Sequence, residues 1–181
     1  MNMKMAINEI KKKQKIDKDT DIEVTSNVRA SFGYLDKKGT TIDLDNHGDS
    51  DYITFGELKS MASGKHKKTL HNMYILITDI EDPNFTVDDV INQLRLNKYY
   101  DAAKEVLQTE FIDADTFDDF VENSDIKDIL KAVKNENLIS GLTESAVELH
   151  RKGKIELEKT KAIFEACGVS NFYEFISDLS K

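Results

Sequence analysis

The sequence predicts an α+β chain: a small N-terminal antiparallel β unit followed by a compact C-terminal bundle of short helices. Three observations predict it. Up to about residue 80, apolar residues mostly alternate with polar ones, the period of a strand with one buried face. From Thr86 onward they recur every three or four residues, the period of an amphipathic helix. Between the two lies Pro83, the only proline, in the turn-forming tetrad EDPN. The predicted division is a flexible basic arm over residues 1–20, a small β-rich domain over 21–82 and a helical domain over 83–181.

In chain order, DIEVTSN puts Ile22 and Val24 on one strand face. VRASFGY puts Val28, Ala30, Phe32 and Tyr34 on one face and Arg29, Ser31 and Gly33 on the other. DKKG, residues 36–39, is a tight turn ending in glycine. TTIDLD then places Ile42 and Leu44 together, and DYITF gives a further strand with Ile53 and Phe55. Thr54 and Glu57 have capping-box spacing, so a short helix follows through residues 57–61, interrupted at Ser63-Gly64. KHKK and TLHNM add a helical turn or two, and MYILITDI, residues 73–80, closes the β unit as an apolar strand.

The helical half opens with Thr86-x-x-Asp89, a cap for a helix carrying Val87, Val90, Ile91 and Leu94. Further helices are predicted around residues 102–107, on Phe117, Phe120 and Val121, and on Ile126, Ile129, Leu130 and Val133. A longer one carries Leu138, Ile139, Leu142, Ala146 and Leu149 and ends near Lys152-Gly153-Lys154. Residues 158–167 form another, stopped by Gly168, and Phe172, Phe175, Ile176 and Leu179 mark a last one. Helices this short are marginal alone and must bury their stripes against one another.

Hydrophobic content of 39% against 33% charged is enough for a core and argues against global disorder. The net charge of -9 excludes broad nucleic-acid binding, which needs clustered Lys and Arg. The charge is uneven. Residues 1–18 hold six lysines against Glu9 and Asp17, a balance of +4, so the remaining residues carry -13 and the two sum to the net -9. A basic arm on an acidic body suits an acidic surface, or nucleic acid through the arm alone. The single Cys167 allows no internal disulfide, in keeping with a reducing compartment. No apolar run approaches the roughly 20 residues that span a bilayer, and the N-terminus lacks the apolar core of a secretion signal.

The acidic stretch of residues 43–51 invites a test for calcium. An EF-hand loop needs oxygen ligands at positions 1, 3 and 5, then Gly, and a bidentate Glu at position 12. Counting from Asp43 puts His47 fifth and Thr54 twelfth, and counting from Asp45 puts His47 third and Gly56 twelfth. Both registers fail, so a hairpin loop between two strands is expected. His66 and His71 are five apart, which does not match a helical zinc pair, and no CxxC is present. Cys167 sits near a helix C-terminus, where the macrodipole disfavours a thiolate. Asp88-Asp89 and Asp118-Asp119 fall in first helical turns, where they complement the dipole. No catalytic, cofactor or metal residues are therefore assigned and no enzyme is expected. The candidate partner-binding residues are Lys11, Lys12, Lys13 and Lys15 of the arm and Lys65, Lys67 and Lys68 of the KHKK loop.

The order VTSNVRASFGY, YITFGELKSMASG, YILITDI, TVDDVINQLRLNKYYDAAKEVL, DFVENSDIKDILKAVKN and TKAIFEACGVSNFYEFI resembles a family of small virion-associated proteins of tailed bacteriophages. The resemblance spans about residues 21–178 and is carried by ITFGEL at 53–58, a strand-to-helix step, and CGVSNF at 167–172. These are packing motifs. The loop 43–51 and the lysine-rich arm are additions to the pattern. The resemblance implies a non-enzymatic structural protein of the virion, assembled in the bacterial host cytoplasm. It would bind other phage capsid, neck or tail proteins in multiple copies, with no membrane. It brings no catalytic residue with it. The alternative is an acidic phage effector that binds and inhibits a host protein, motivated by the -13 on residues 19–181.

Overall fold

The computed structural model describes residues 14–35, 39 and 41–168. The calls on residues 36–38, on Lys11, Lys12 and Lys13, and on the last helix with Phe172, Phe175, Ile176 and Leu179 lie outside them. The architecture is α+β, with antiparallel strands first and helices after. The described strands are β1 (Asp21–Ser26), β2 (Phe32–Leu35), β3 (Thr41–Leu44), β4 (Ser50–Thr54) and β5 (Ile75–Ile80). The described helices are α1 (Phe55–Ser63), α2 (Lys67–His71), α3 (Val87–Gln93), α4 (Asn97–Leu107), α5 (Thr116–Asn123), α6 (Ile126–Ala132), α7 (Ile139–Arg151) and α8 (Leu157–Ala166).

β1 is the central strand of a sheet ordered β4-β1-β5, antiparallel to both neighbours. Ile22 and Val24 share the buried face, as their spacing requires. The opposite face carries hydroxyls across three strands: Thr25 Oγ1 lies 2.7 Å from Ser50 Oγ and 2.9 Å from Thr78 Oγ1. Such cross-strand pairs set register as well as adding stability. β2 and β3 form a separate hairpin, Phe32 opposite Leu44 and Leu35 opposite Thr41. It presents Ile42 and Leu44 to the core.

The strand read from VRASFGY is shorter than its alternation suggests. Only Phe32–Leu35 is extended in a ladder. Residues 27–31 leave the sheet because their polar groups are bound elsewhere. Asn27 donates its backbone N–H to Tyr74 O and its amide to Met73 O, both at 2.9 Å. Arg29 donates its backbone N–H to Glu144 at 2.7 Å and Nη2 to both oxygens of Asp118 at 2.8 and 2.9 Å. Asp118 and Glu144 lie on α5 and α7, so this loop ties the strands to the helices.

Phe55 also departs from its expected place. It opens α1 rather than closing β4, because its N–H and that of Gly56 turn back to Thr20 O and Lys18 O at 2.8 Å. Thr54 caps the helix by accepting from Glu57 N–H. Residues 14–20, assigned above to the arm, are held against the body. Ile16 is buried in the core, and its N–H meets Gln93 Oε1 at 3.1 Å.

Thr86 and Asp89 form the predicted capping box at the start of α3. α4 starts five residues earlier than the period alone suggested, because Tyr100 belongs to its buried stripe with Ala103 and Leu107. β5 has β1 on one edge only. On the other, Tyr100 Oη accepts the N–H of Ile77 at 3.1 Å. An unpaired N–H buried at a sheet edge is costly, and the phenol removes that cost. Burial pushes the Tyr100 hydroxyl up to about 12, so it stays neutral. One connected cluster of buried apolar side chains runs from Ile16 and β1 through Phe117 on α5 to Ile163 on α8.

α5 and α7 approach closely at Gly141. A Cβ there would lie 2.5 Å from the ring of Phe117, which is fully buried. Gly141→Ala is therefore expected to lower stability by about 1–3 kcal/mol through overpacking, read as a drop in the urea midpoint at unchanged slope. Tyr100→Phe keeps the ring but leaves the Ile77 N–H unpaired. The expected loss is about 1–3 kcal/mol, with faster hydrogen exchange at that amide.

Candidate interaction face

The acidic stretch of residues 43–51 is not a hairpin loop. β3 pairs with β2 and β4 with β1, so it hands the chain from one sheet to the other. Its turn closes on itself: Asp49 Oδ2 accepts from Asn46 N–H at 2.8 Å and from Asn46 Nδ2 at 3.1 Å. Gly48, at φ 87°, donates its N–H to Ser26 O, and Ser26 N–H returns to Asp49 O. Asp49 is thus spent on the turn, the chemistry that Asx residues supply in loops. Among the described residues no cluster of His, Cys, Asp and Glu suits a metal ion, and no helix is long and apolar enough to cross a membrane.

This turn carries His47 to the Arg29 tie. The His47 Nε2 is shut off from solvent and has no hydrogen-bond partner among the described residues. Burial and then the Arg29 guanidinium hold His47 below its usual 6.5, against the opposing pull of Asp118, Asp115 and Glu144. Cys167 caps the end of α8, and burial pushes its thiol up.

The candidate lysines stand apart from these buried polar groups. Lys65, Lys67 and Lys68 are exposed, the first in the turn before α2 and the others in its first turn. Lys15 is exposed where the chain enters the described structure. There Gln93 holds it twice, donating Nε2 to Gln14 O at 3.1 Å and accepting from Ile16 N–H. The position of Gln93 at the end of α3 therefore brings the root of the arm toward α1 and α2.

Between these elements lies a cleft of about 400 Å³. Its polar lining is Lys59 and Ser63 of α1, His71 of α2, Gln93, Arg95 and Tyr99. The rings of His71 and Tyr99 stack at 4.0 Å. Lys59 sits over the Phe55 ring at 5.9 Å and Lys98 over Tyr99 at 5.7 Å. Burial, then Lys67 and Lys98, lower His71 from its usual range, so the local field is positive. Sequence reasoning missed this cleft. Its residues are 40 positions apart along the chain and share no motif. The one signal was Arg95, one of only three arginines, at the end of a helix.

Several cations are held in ion pairs. Arg29 pairs with Asp118, Lys104 with Asp88, Lys154 with Glu122, and Arg151 and Lys152 with Glu148. By contrast, none of Lys59, Lys65, Lys67, Lys68, Arg95 and Lys98 is in an ion pair among the described residues. Lys59 and Arg95 line the cleft and Lys67 and Lys98 act on His71 within it, so positive charge without an ion pair among the described residues gathers there, although Lys127 and Lys134 of the helical half are likewise in no such pair. Comparisons with protein-family models, with curated proteins and with solved structures return no match.

His47 and His71 set the sign of a pH response. Each is held below its unfolded value, so the unfolded chain takes up the proton first as pH falls. Their share of stability is complete above pH 6.5 and is lost as pH falls through and below it. The thermal midpoint should therefore drop between about pH 7.5 and 5.5. His47→Gln should flatten part of that slope, and an unchanged slope in this variant would contradict the assignment.

Proposed function

We propose that this chain is a non-enzymatic interaction protein of a tailed-bacteriophage virion, docked by its basic face on an acidic surface of another structural protein. The observation that carries the docking half is the uncommitted charge. Lys65, Lys67 and Lys68 are exposed and in no ion pair among the described residues, while many cations of the helical half are already bound to carboxylates. Lysine heads that make no internal pair are available for a partner, and they steer encounter before contact forms. Lys15 is exposed, and the sequence sets Lys11, Lys12 and Lys13 directly before it as further positive charge. The virion half rests on the ITFGEL strand-to-helix step, which here is the passage from β4 into α1 under the Thr54 cap. On a particle with many identical subunits, weak single contacts suffice because they act together.

Quantitative mass spectrometry of purified particles tests the reading. The expected result is a copy number set by five-, six- or twelve-fold symmetry. Reversing Lys65, Lys67 and Lys68 to Glu should cut the particle-bound copies by about tenfold or more while leaving the fold intact. Absence of the unaltered protein from particles would overturn the proposal.

A further inference from the structure

We propose that the cleft between α1, α2 and the α3–α4 turn is a binding site for a nucleoside phosphate, with Arg95 and Lys59 on the phosphate and the His71–Tyr99 stack beside the base. The inference stands apart from the docking reading above, since it concerns the cleft and not the exposed lysines of α2.

Arg95 is the first reason. It follows the C-cap of α3 in the left-handed conformation, φ 61°. The helix ends in a Schellman motif: Arg95 N–H donates to Asn92 O at 3.0 Å and Leu96 N–H to Ile91 O at 2.9 Å. Both Leu96 and Ile91 are buried, the apolar contact that accompanies the motif. This position favours glycine, because a Cβ is strained there. The chain instead carries an arginine that lines the cleft and is in no ion pair among the described residues. Strain held at a residue with no internal partner points to a role outside the fold.

The composition of the cleft is the second reason. Among the described residues its lining holds Arg95, Lys59 and His71 and no carboxylate, in a protein of net charge -9. Guanidinium and ammonium groups are the donors that recognise phosphate, the first in a planar fork. Ser63 and Gln93 add neutral polar groups. The rings of His71 and Tyr99 already stack face to face, and a base on an outer face of the pair would extend that stack, as bases do on aromatic side chains. The volume of about 400 Å³ falls in the range of small-ligand sites.

The full chain titrated with adenosine monophosphate and, separately, with inorganic phosphate, followed by calorimetry at about 150 mM salt, tests the site. Saturable binding of the nucleotide is expected, about tenfold or more tighter than phosphate. Arg95→Gly should weaken both ligands by about tenfold or more, while its thermal midpoint stays equal or rises. Tyr99→Leu should weaken the nucleotide and spare phosphate. No saturable binding by the unaltered chain, or equal binding by Arg95→Gly, would overturn the site. Equal affinity for the two probes would overturn the assignment of a nucleoside. Loss of particle docking in the Lys65, Lys67 and Lys68 variant with nucleotide binding intact would separate the two faces.

Discussion

The structure depends on β1 being paired along both edges. Its backbone groups are matched by β4 on one side, from Asp21 opposite Thr54 to Thr25 opposite Ser50, and by β5 on the other, from Ile22 opposite Ile80 to Ser26 opposite Ile75. Central strands cannot leave donors unpaired, so both partners must arrive before β1 is stable. The loop of residues 45–49 extends the β4 side by clamping Ser26. Beyond Ser26 the ladder of β1 ends: Asn27 binds Met73 O and Tyr74 O just ahead of β5, and Arg29 turns to the helical half. The short β2–β3 hairpin begins only where these anchors end.

That arrangement explains how charge is distributed. Arg29 is about one-fifth exposed, and its carboxylate partner Asp118 is similar. A charge so covered is tolerated because it is paired and hydrogen-bonded. Sequence places Asp118 in a first helical turn, where the dipole alone accounts for it, and the fold then gives it a second duty. Lys59 of α1 and Lys67 and Lys68 of α2 are in no ion pair among the described residues. The acidic excess and the basic face therefore coexist without neutralising each other.

Local features were legible in the sequence. Thr86 and Asp89 signalled a helix start by spacing. Gly153 and Gly168 signalled helix ends, and both take positive φ. Ile22 with Val24, and Ile42 with Leu44, showed their buried faces by alternation. What was not legible depends on distant partners. The alternation of residues 28–34 predicts a strand, but Arg29 finds a carboxylate 89 residues away and the ladder starts late. Phe55 reads equally as the last strand residue or the first helical one, and hydrogen bonds to Thr20 and Lys18 decide it. The cleft gathers residues 59, 71, 95 and 99 from three helices and one turn, and no linear pattern marks that convergence.

The order of pairing in the central sheet bears on the chain as it is being made. β1 ends at Ser26, while β4 begins at Ser50 and β5 at Ile75. At 5–20 residues per second, roughly 2–10 s pass on the ribosome before the second edge of β1 can be filled. During that interval a strand with one apolar face and an open edge sits next to identical strands on neighbouring ribosomes of the same message. Abundant production would therefore draw on chaperones that bind nascent chains, and a message translated slowly through residues 27–75 would lengthen the exposure.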